Sequence, residues 1–288
     1  MGVDHDSHKY GPKSQTKALK VIDQLVGELW DTMLEAANGS IFSAIFSDHG
    51  QIEVRPDDQH SLRLGFPFDR EMASFFDALH LDVHDYPGEA PDCDAVLALN
   101  GGLASVYLHH KTGHWWDKPE FERDVRPIGR AFWDAHQTGA YAPDLQNALA
   151  GVLIRNVEKD GWDAPFQALT PNNEIVSLEE WFASQPDHLY IDPVNRLNNY
   201  VGKRSGDLIL ISNYDEQYYF GGELTGMHGG IHPDDSNAVL AYGWFGGSIE
   251  QWNNAKDRIE QAINDRCAAE NGRHPNLVDM LTGVKAVL

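Results

Sequence analysis

Five residues combine types and spacings able to hold metal ions: Asp4, His8, Asp48, His49 and His228. Asp4 and His8 lie four apart, so one helical turn or a tight loop presents a carboxylate and an imidazole to the same point. Taken alone, that spacing arises often on solvated loops. Asp48 and His49 carry more weight, because they follow the short apolar run Ile41-Phe42-Ser43-Ala44-Ile45-Phe46, where the end of a strand opens to a cleft. His228 stands in Met227-His228-Gly229-Gly230, a Gly-rich loop after a second strand pattern. Three imidazoles and two carboxylates without a thiolate suit zinc or manganese. Two such ions about 4 Å apart can clamp the attacking and leaving oxygens of a phosphoryl transfer.

The elements that must position these residues are partly legible. Leu19, Ile22, Val26, Leu29 and Met33 recur at three- and four-residue steps, with Ala18, Leu25 and Trp30 widening the stripe. That pattern predicts a helix stopped by Asn38-Gly39. Ile41 to Phe46 reads as a buried strand, and residues 207–212 (Asp-Leu-Ile-Leu-Ile-Ser) as another. Between about 60 and 200 a helical piece, Arg70 to Leu79, alternates with strand patterns at Ala95 to Leu99, Ala104 to Leu108 and Gly151 to Asn156. Ala238 to Tyr242 reads as a strand, Ile249 to Ala269 as a helix, and Leu277 to Leu281 as a short last turn. The expected organisation is a core α/β domain whose metal-site part is 1–60, an inserted or cap-like region at 61–200, and the remainder of the core at 201–288.

Composition bounds the function. The 42% hydrophobic content of 288 residues is enough for a large core, and eight Trp argue against general disorder. Asp and Glu number 44 against 22 Lys and Arg, a net charge of −22 that repels polyanions and disfavours a stable nucleic-acid partner. Cys93 and Cys267 are the only cysteines, so neither a disulfide framework nor a thiolate zinc site can be built. No apolar run is long enough to span a membrane and no leader is visible. The chain therefore reads as soluble, cytoplasmic or periplasmic, with the compartment left open.

Other features compete for attention. His80 and His84 repeat the four-residue spacing, and His109, His110 and His114 gather near Trp115-Trp116, but companion ligands are lacking and surface or substrate-side loops are the preferred reading. Trp115, Trp116, Trp133 and Trp162 could stack on a base or sugar, although core packing is the commoner use. Gly221-Gly222 and Gly229-Gly230 form no nucleotide-binding fingerprint, and no Ser-His-Asp elbow is present.

Residues 4–12 (Asp-His-Asp-Ser-His-Lys-Tyr-Gly-Pro) resemble the D-x-x-x-H-x-x-G-P segment of the alkaline phosphatase superfamily, in particular its type I phosphodiesterase and nucleotide pyrophosphatase branch. Ser47-Asp48-His49-Gly50, Gly226-Met227-His228-Gly229 and the acidic Asp234-Asp235 follow in the order that branch shows. Asn100-Gly101-Gly102-Leu103-Ala104 and Arg204-Ser205-Gly206-Asp207 are weaker family-like pieces. The resemblance implies a three-layer αβα sheet of alkaline-phosphatase type with an inserted cap-like region. It implies a metal-dependent hydrolase of phosphoric esters, phosphodiesterase or nucleotide pyrophosphatase-like, acting on a small phosphoester. Asp4, His8 and His228 would hold one divalent ion, while Asp48 and His49 would supply part of the shell of a second; zinc is expected, with manganese as the alternative. Ser7 stands where relatives often have Gly.

One departure is expected to matter. Family members begin with a strand bearing a further metal-binding Asp, followed by a Thr or Ser nucleophile at a helix N-terminus. Only three residues precede Asp4 here, so the chain reads as N-terminally truncated, with the nucleophile unassigned. Thr112, Thr225 and Ser236 lie in loops of the wrong context. The second reading is accordingly a non-catalytic metal-binding paralogue, or a split-enzyme fragment that needs a partner half. A homo-oligomer that masks exposed apolar surface is a further expectation.

Overall fold

The computed structural model describes residues 2–37, 39–64, 71–84, 93–109 and 113–288. Asn38, Arg70, His110 and Thr112 lie outside the described residues. The chain opens with α1 (Val3–Tyr10), α2 (Gln15–Ala37), β1 (Ile41–Phe46), β2 (Ile52–Glu53) and β3 (Ser61–Leu62). Next come α3 (Glu71–Ala78), β4 (Val83–His84), β5 (Ala95–Asn100), β6 (Leu103–Leu108), α4 (Arg126–Thr138), β7 (Leu149–Ile154), α5 (Val157–Asp160), β8 (Gln167–Leu169) and β9 (Ile175–Val176). The rest comprises α6 (Leu178–Ala183), α7 (Pro193–Tyr200), β10 (Leu208–Ser212), β11 (Tyr219–Phe220), β12 (Gly226–Met227), α8 (Pro233–Ser236), β13 (Leu240–Phe245), α9 (Ile249–Ala269) and α10 (Asp279–Val287).

Seven strands form the central sheet in the order β4-β5-β6-β10-β7-β8-β9. Successive residues of β10 point to opposite faces, as the two-residue period of a strand requires. Leu208 and Leu210 enter a cluster with Phe75 and Phe76 of α3 and Ile128 and Phe132 of α4. Ile209 and Ile211 enter another with Trp181 of α6 and Leu197 of α7. Helices therefore cover both faces, giving the expected mixed α/β, helix-sheet-helix arrangement. Phe75 and Phe132 stack with ring centroids 4.0 Å apart, and Phe76 meets Phe132 edge-on at 6.0 Å.

Most pairings in this sheet are antiparallel, and β4 with β5 is the parallel one among the sheet's described strands. The reason is visible at Gly101-Gly102, a two-residue connection between β5 and β6 that is too short for anything but a hairpin. Gly101 adopts φ +62°, the left-handed region that such a turn needs. The expected inserted region, 61–200, supplies most of this sheet, and β10 from beyond it is hydrogen-bonded between β6 and β7. The sheet is thus shared across the expected boundary near residue 200.

A second, thinner layer holds α2, β1, β13, α9 and α10. β1 does not join the large sheet, nor is it buried as its sequence led us to expect: it pairs antiparallel with β13, and Ile45 and Phe46 are 42% and 49% exposed. The predicted helix is present as α2, ending at Ala37, yet none of its described residues is buried. Trp30 contacts Phe245 at 3.7 Å between ring centroids and fixes the helix on the ribbon. α9 starts with a capping box between Ser248 and Gln251. The buried pair Arg273 and Asp279, joined by bonds of 2.7 and 2.8 Å, ties the α9–α10 connection. Among the described residues no helix is long and apolar enough to cross a membrane.

Candidate metal centre

The first functional segment is a short helix with a built-in stop. Residues 3–10 make just over two turns, so Asp4 and His8 project from one face. Gly11 ends the helix at φ +82°, with its amide donating to Ser7 O at 2.8 Å, and Pro12 opens the following turn. This helix is docked on β12 through its backbone. The Thr225 amide donates to His8 O at 2.8 Å, and His8 Nδ1 lies 2.7 Å from Gly226 O. A Cβ at position 226 would fall 2.5 Å from Ser7 O, so only glycine allows this approach. Ser7 is fully buried, and its hydroxyl accepts from Gln15 Nε2 at 3.2 Å.

Asp48 and His49 follow β1, and His228 follows β12. Because β12 pairs with β2, the loop after β1 is carried alongside the loop after β12. The structure thereby brings four of the five predicted residues around one atom. Asp4 Oδ1 lies 3.2 Å from His8 Nε2, 3.6 Å from His228 Nε2 and 3.9 Å from His49 Nε2. Asp48 stands at the margin, 81% exposed, with Oδ2 3.6 Å from His49 Nε2. The rings of His49 and His228 stack at 3.5 Å with planes 16° apart, and His8 meets His228 at 5.1 Å.

Protons on these rings are directed by the backbone. A carbonyl oxygen can only accept, so the contacts from His8 Nδ1 to Gly226 O and from His49 Nδ1 to Gly50 O, 2.7 and 2.8 Å, place the hydrogen on Nδ1. Both Nε2 atoms then face Asp4, and in the neutral ring this is the nitrogen free to bind a metal. Burial holds the His228 pKa below the ordinary histidine value, and the neighbouring His49 and His8 reinforce this against the opposing pull of Asp4 and Asp48. A neutral imidazole is the form that ligates metal.

The remaining sequence candidates fall elsewhere. Thr225 Oγ1 donates to Lys9 O at 3.3 Å, and Ser236 Oγ donates to Asp235 Oδ1 at 3.0 Å while accepting from Arg196, so both hydroxyls have structural partners. His84 pairs with Asp82 at 3.6 Å, and His109 and His114 stack on Trp115 and Trp116. Trp133 is a core residue whose indole donates to Leu169 O. Sequence reasoning passed over the residues behind the ligands, above all Asp235, which is 2% exposed and whose burial raises its carboxyl pKa. The only hint was its place in the acidic pair after His228.

A family model described as type I phosphodiesterase / nucleotide pyrophosphatase matches residues 1–232. No curated protein and no solved structure matches the chain.

Proposed function

The chain belongs to the type I phosphodiesterase / nucleotide pyrophosphatase family, part of the alkaline phosphatase superfamily, and from that premise we propose that it is a metal-dependent hydrolase of phosphoric esters using two divalent ions. The observation that carries the proposal is the convergence of three imidazole Nε2 atoms on Asp4 Oδ1 from positions as far apart as 8 and 228. Donor atoms sharing a tetrahedral zinc ion lie about 3.3 Å apart, given zinc–ligand bonds of about 2.0 Å. The spacings from Asp4 to His8 and His228 are close to this, and that to His49 is longer. The donor set of nitrogen and carboxylate oxygen suits zinc, with manganese as the alternative.

By distance alone, Asp4, His49 and His228 are the group that would serve a single ion, since their ligand atoms lie within 4.8 Å of one another, a group that does not include His8. The ring planes favour a division. Rings stacked 3.5 Å between centroids leave room for each imidazole to serve its own ion at the roughly 3.5–4 Å spacing of two-metal sites. In this reading Asp4, His8 and His228 hold one ion, and His49 with Asp48 contributes to the other. Bound divalent ions would polarise a phosphoryl oxygen and stabilise charge on the leaving group. The chain's own part is to hold the Nδ1 atoms of His8 and His49 on backbone carbonyls, to set one carboxylate at the centre, and to leave Asp48 open to solvent.

A second reading is a non-catalytic metal-binding protein, favoured by the structural engagement of both the Thr225 and Ser236 hydroxyls. One experiment separates the two. Chain stripped of metal is titrated with zinc by calorimetry and assayed on an aryl phosphodiester and an aryl phosphomonoester. The expected result is zinc uptake, at least tenfold weaker in His228→Ala, with metal-dependent diester cleavage. Uptake without turnover supports the non-catalytic reading, and absence of uptake by the unaltered chain overturns both.

A further inference from the structure

The Ser47–Gln51 loop runs into β2 and the His228–His232 loop leaves β12, strands of only two residues each. The Ser47–Gln51 loop and the His228–His232 loop meet a common segment, Asp234–Asn237, and one buried residue bonds to both. The backbone carbonyl of Asp235 accepts the amide of Gly50, next to His49, at 2.9 Å. Its carboxylate Oδ2 accepts the amide of Gly230, two residues after His228, at 2.7 Å. Its Oδ1 accepts from Ser236 Oγ at 3.0 Å, and that hydroxyl accepts in turn from Arg196 Nη1 at 2.7 Å. Arg196 Nη2 closes the ring on Gly230 O at 3.1 Å.

The glycines report the same convergence independently. A Cβ on Gly50 would lie 2.3 Å from Asp234 O, and one on Gly230 would meet the Tyr214 hydroxyl first and lie 2.6 Å from Asp235 Oδ2. Each imidazole-bearing loop therefore has glycine where it touches this segment. Aspartate suits the junction because a short side chain carries two acceptors, enough for a backbone amide and a hydroxyl together.

We propose that Asp235 is a positioning residue that ties the loop of Asp48 and His49 to the loop of His228 and so sets the spacing of the ligands, with Arg196 and Ser236 holding its carboxylate in place. This rests on the metal-site reading above. Groups behind metal ligands commonly govern affinity about 10- to 100-fold when removed.

The test is cobalt(II) titration of the metal-stripped chain, followed by calorimetry and by the visible absorption of the bound ion, which responds to ligand geometry. Asp235→Ala is expected to weaken binding about 10- to 100-fold and to change the band shape. Asp235→Asn, which keeps an acceptor for Gly230, is expected to restore both to within about threefold. Phe132→Leu, in the core on the sheet face opposite the one that carries Tyr214 and Ile231, controls for general destabilisation and is expected to leave the cobalt spectrum unchanged. Should Asp235→Ala fail to fold, Ser236→Ala carries the test with an expected loss of about threefold or more. Unaltered chain that takes up no cobalt overturns the metal reading and this inference with it. Normal uptake by the unaltered chain, with affinity and spectrum unchanged in Asp235→Ala or Ser236→Ala, overturns this inference alone.

Discussion

The seven-stranded sheet and the layer of α2, β1 and β13 are built from similarly apolar patterns, yet water treats them differently. In the sheet, Leu208, Leu210 and Ile211 have no exposed surface, because helices cover both faces. In the thin layer, Leu19, Leu25 and Leu29 are 51–57% exposed, although their helical periodicity is as regular as any in the chain. A helix lying along a two-stranded ribbon is covered on one side at most. Periodicity decides which side of an element is apolar, whereas a second layer decides whether that side is dry. The imidazole cluster lies between the two: α1 and the His49 loop flank the thin layer, while the His228 loop touches the large sheet at the β5–β6 turn, where a Cβ on Gly101 would meet His228 O.

Three substitutions can break or sharpen this contrast, each read by urea unfolding. The largest effect is expected at Phe132→Ala, where a fully buried ring stacked on Phe75 is removed; the loss should be about 3–5 kcal/mol. A cost under about 1 kcal/mol would mean that the sheet's core is no better packed than the thin layer.

Next is Asp279→Ala, which strands a buried guanidinium and should cost roughly 3 kcal/mol, toward the lower end for a broken buried pair because Glu270 still binds Arg273. Hydrogen bonds from Arg273 hold the Asp279 carboxyl below the ordinary carboxylate range despite burial. For a depressed carboxylate the stabilisation is complete above its unfolded pKa and is lost as pH falls through the folded value. Helix α10 should therefore loosen on acidification before the large sheet does, as read by hydrogen exchange, and Asp279→Asn should remove that pH dependence. Simultaneous loss of both regions would contradict a thin layer with its own anchor.

The smallest effect is expected at Leu25→Ala on α2, within about 0.5 kcal/mol, as for other exposed positions. A loss approaching that of Phe132→Ala would show that this face is covered in solution and would erase the contrast.

Much of the local structure was legible. The three- and four-residue steps gave α2 and its stop, Ile249 to Ala269 was readable as α9, and short apolar runs gave β5, β6, β7 and β10. Asp4 and His8 were readable as one face of a turn. Less legible was how these pieces meet. β1 was expected to be buried, but it pairs with β13, nearly two hundred residues later, at an exposed edge. Asp48 carried the same weight in sequence as His49, yet it ends at the solvent-facing margin.

What sequence alone determined is the inventory and its local presentation: five ligand-type residues, the helix that pairs Asp4 with His8, and the strand ends that carry the others. Side-chain periods of 3.6 and 2 residues are properties of a single element, so they survive without knowledge of the fold. Tertiary structure alone decided that three imidazoles face Asp4 Oδ1, that His49 stacks on His228, and that Asp235 joins their loops. Those contacts depend on registers set between residues up to 224 apart, 228 minus 4, where packing and backbone hydrogen bonds act and local preference has no influence.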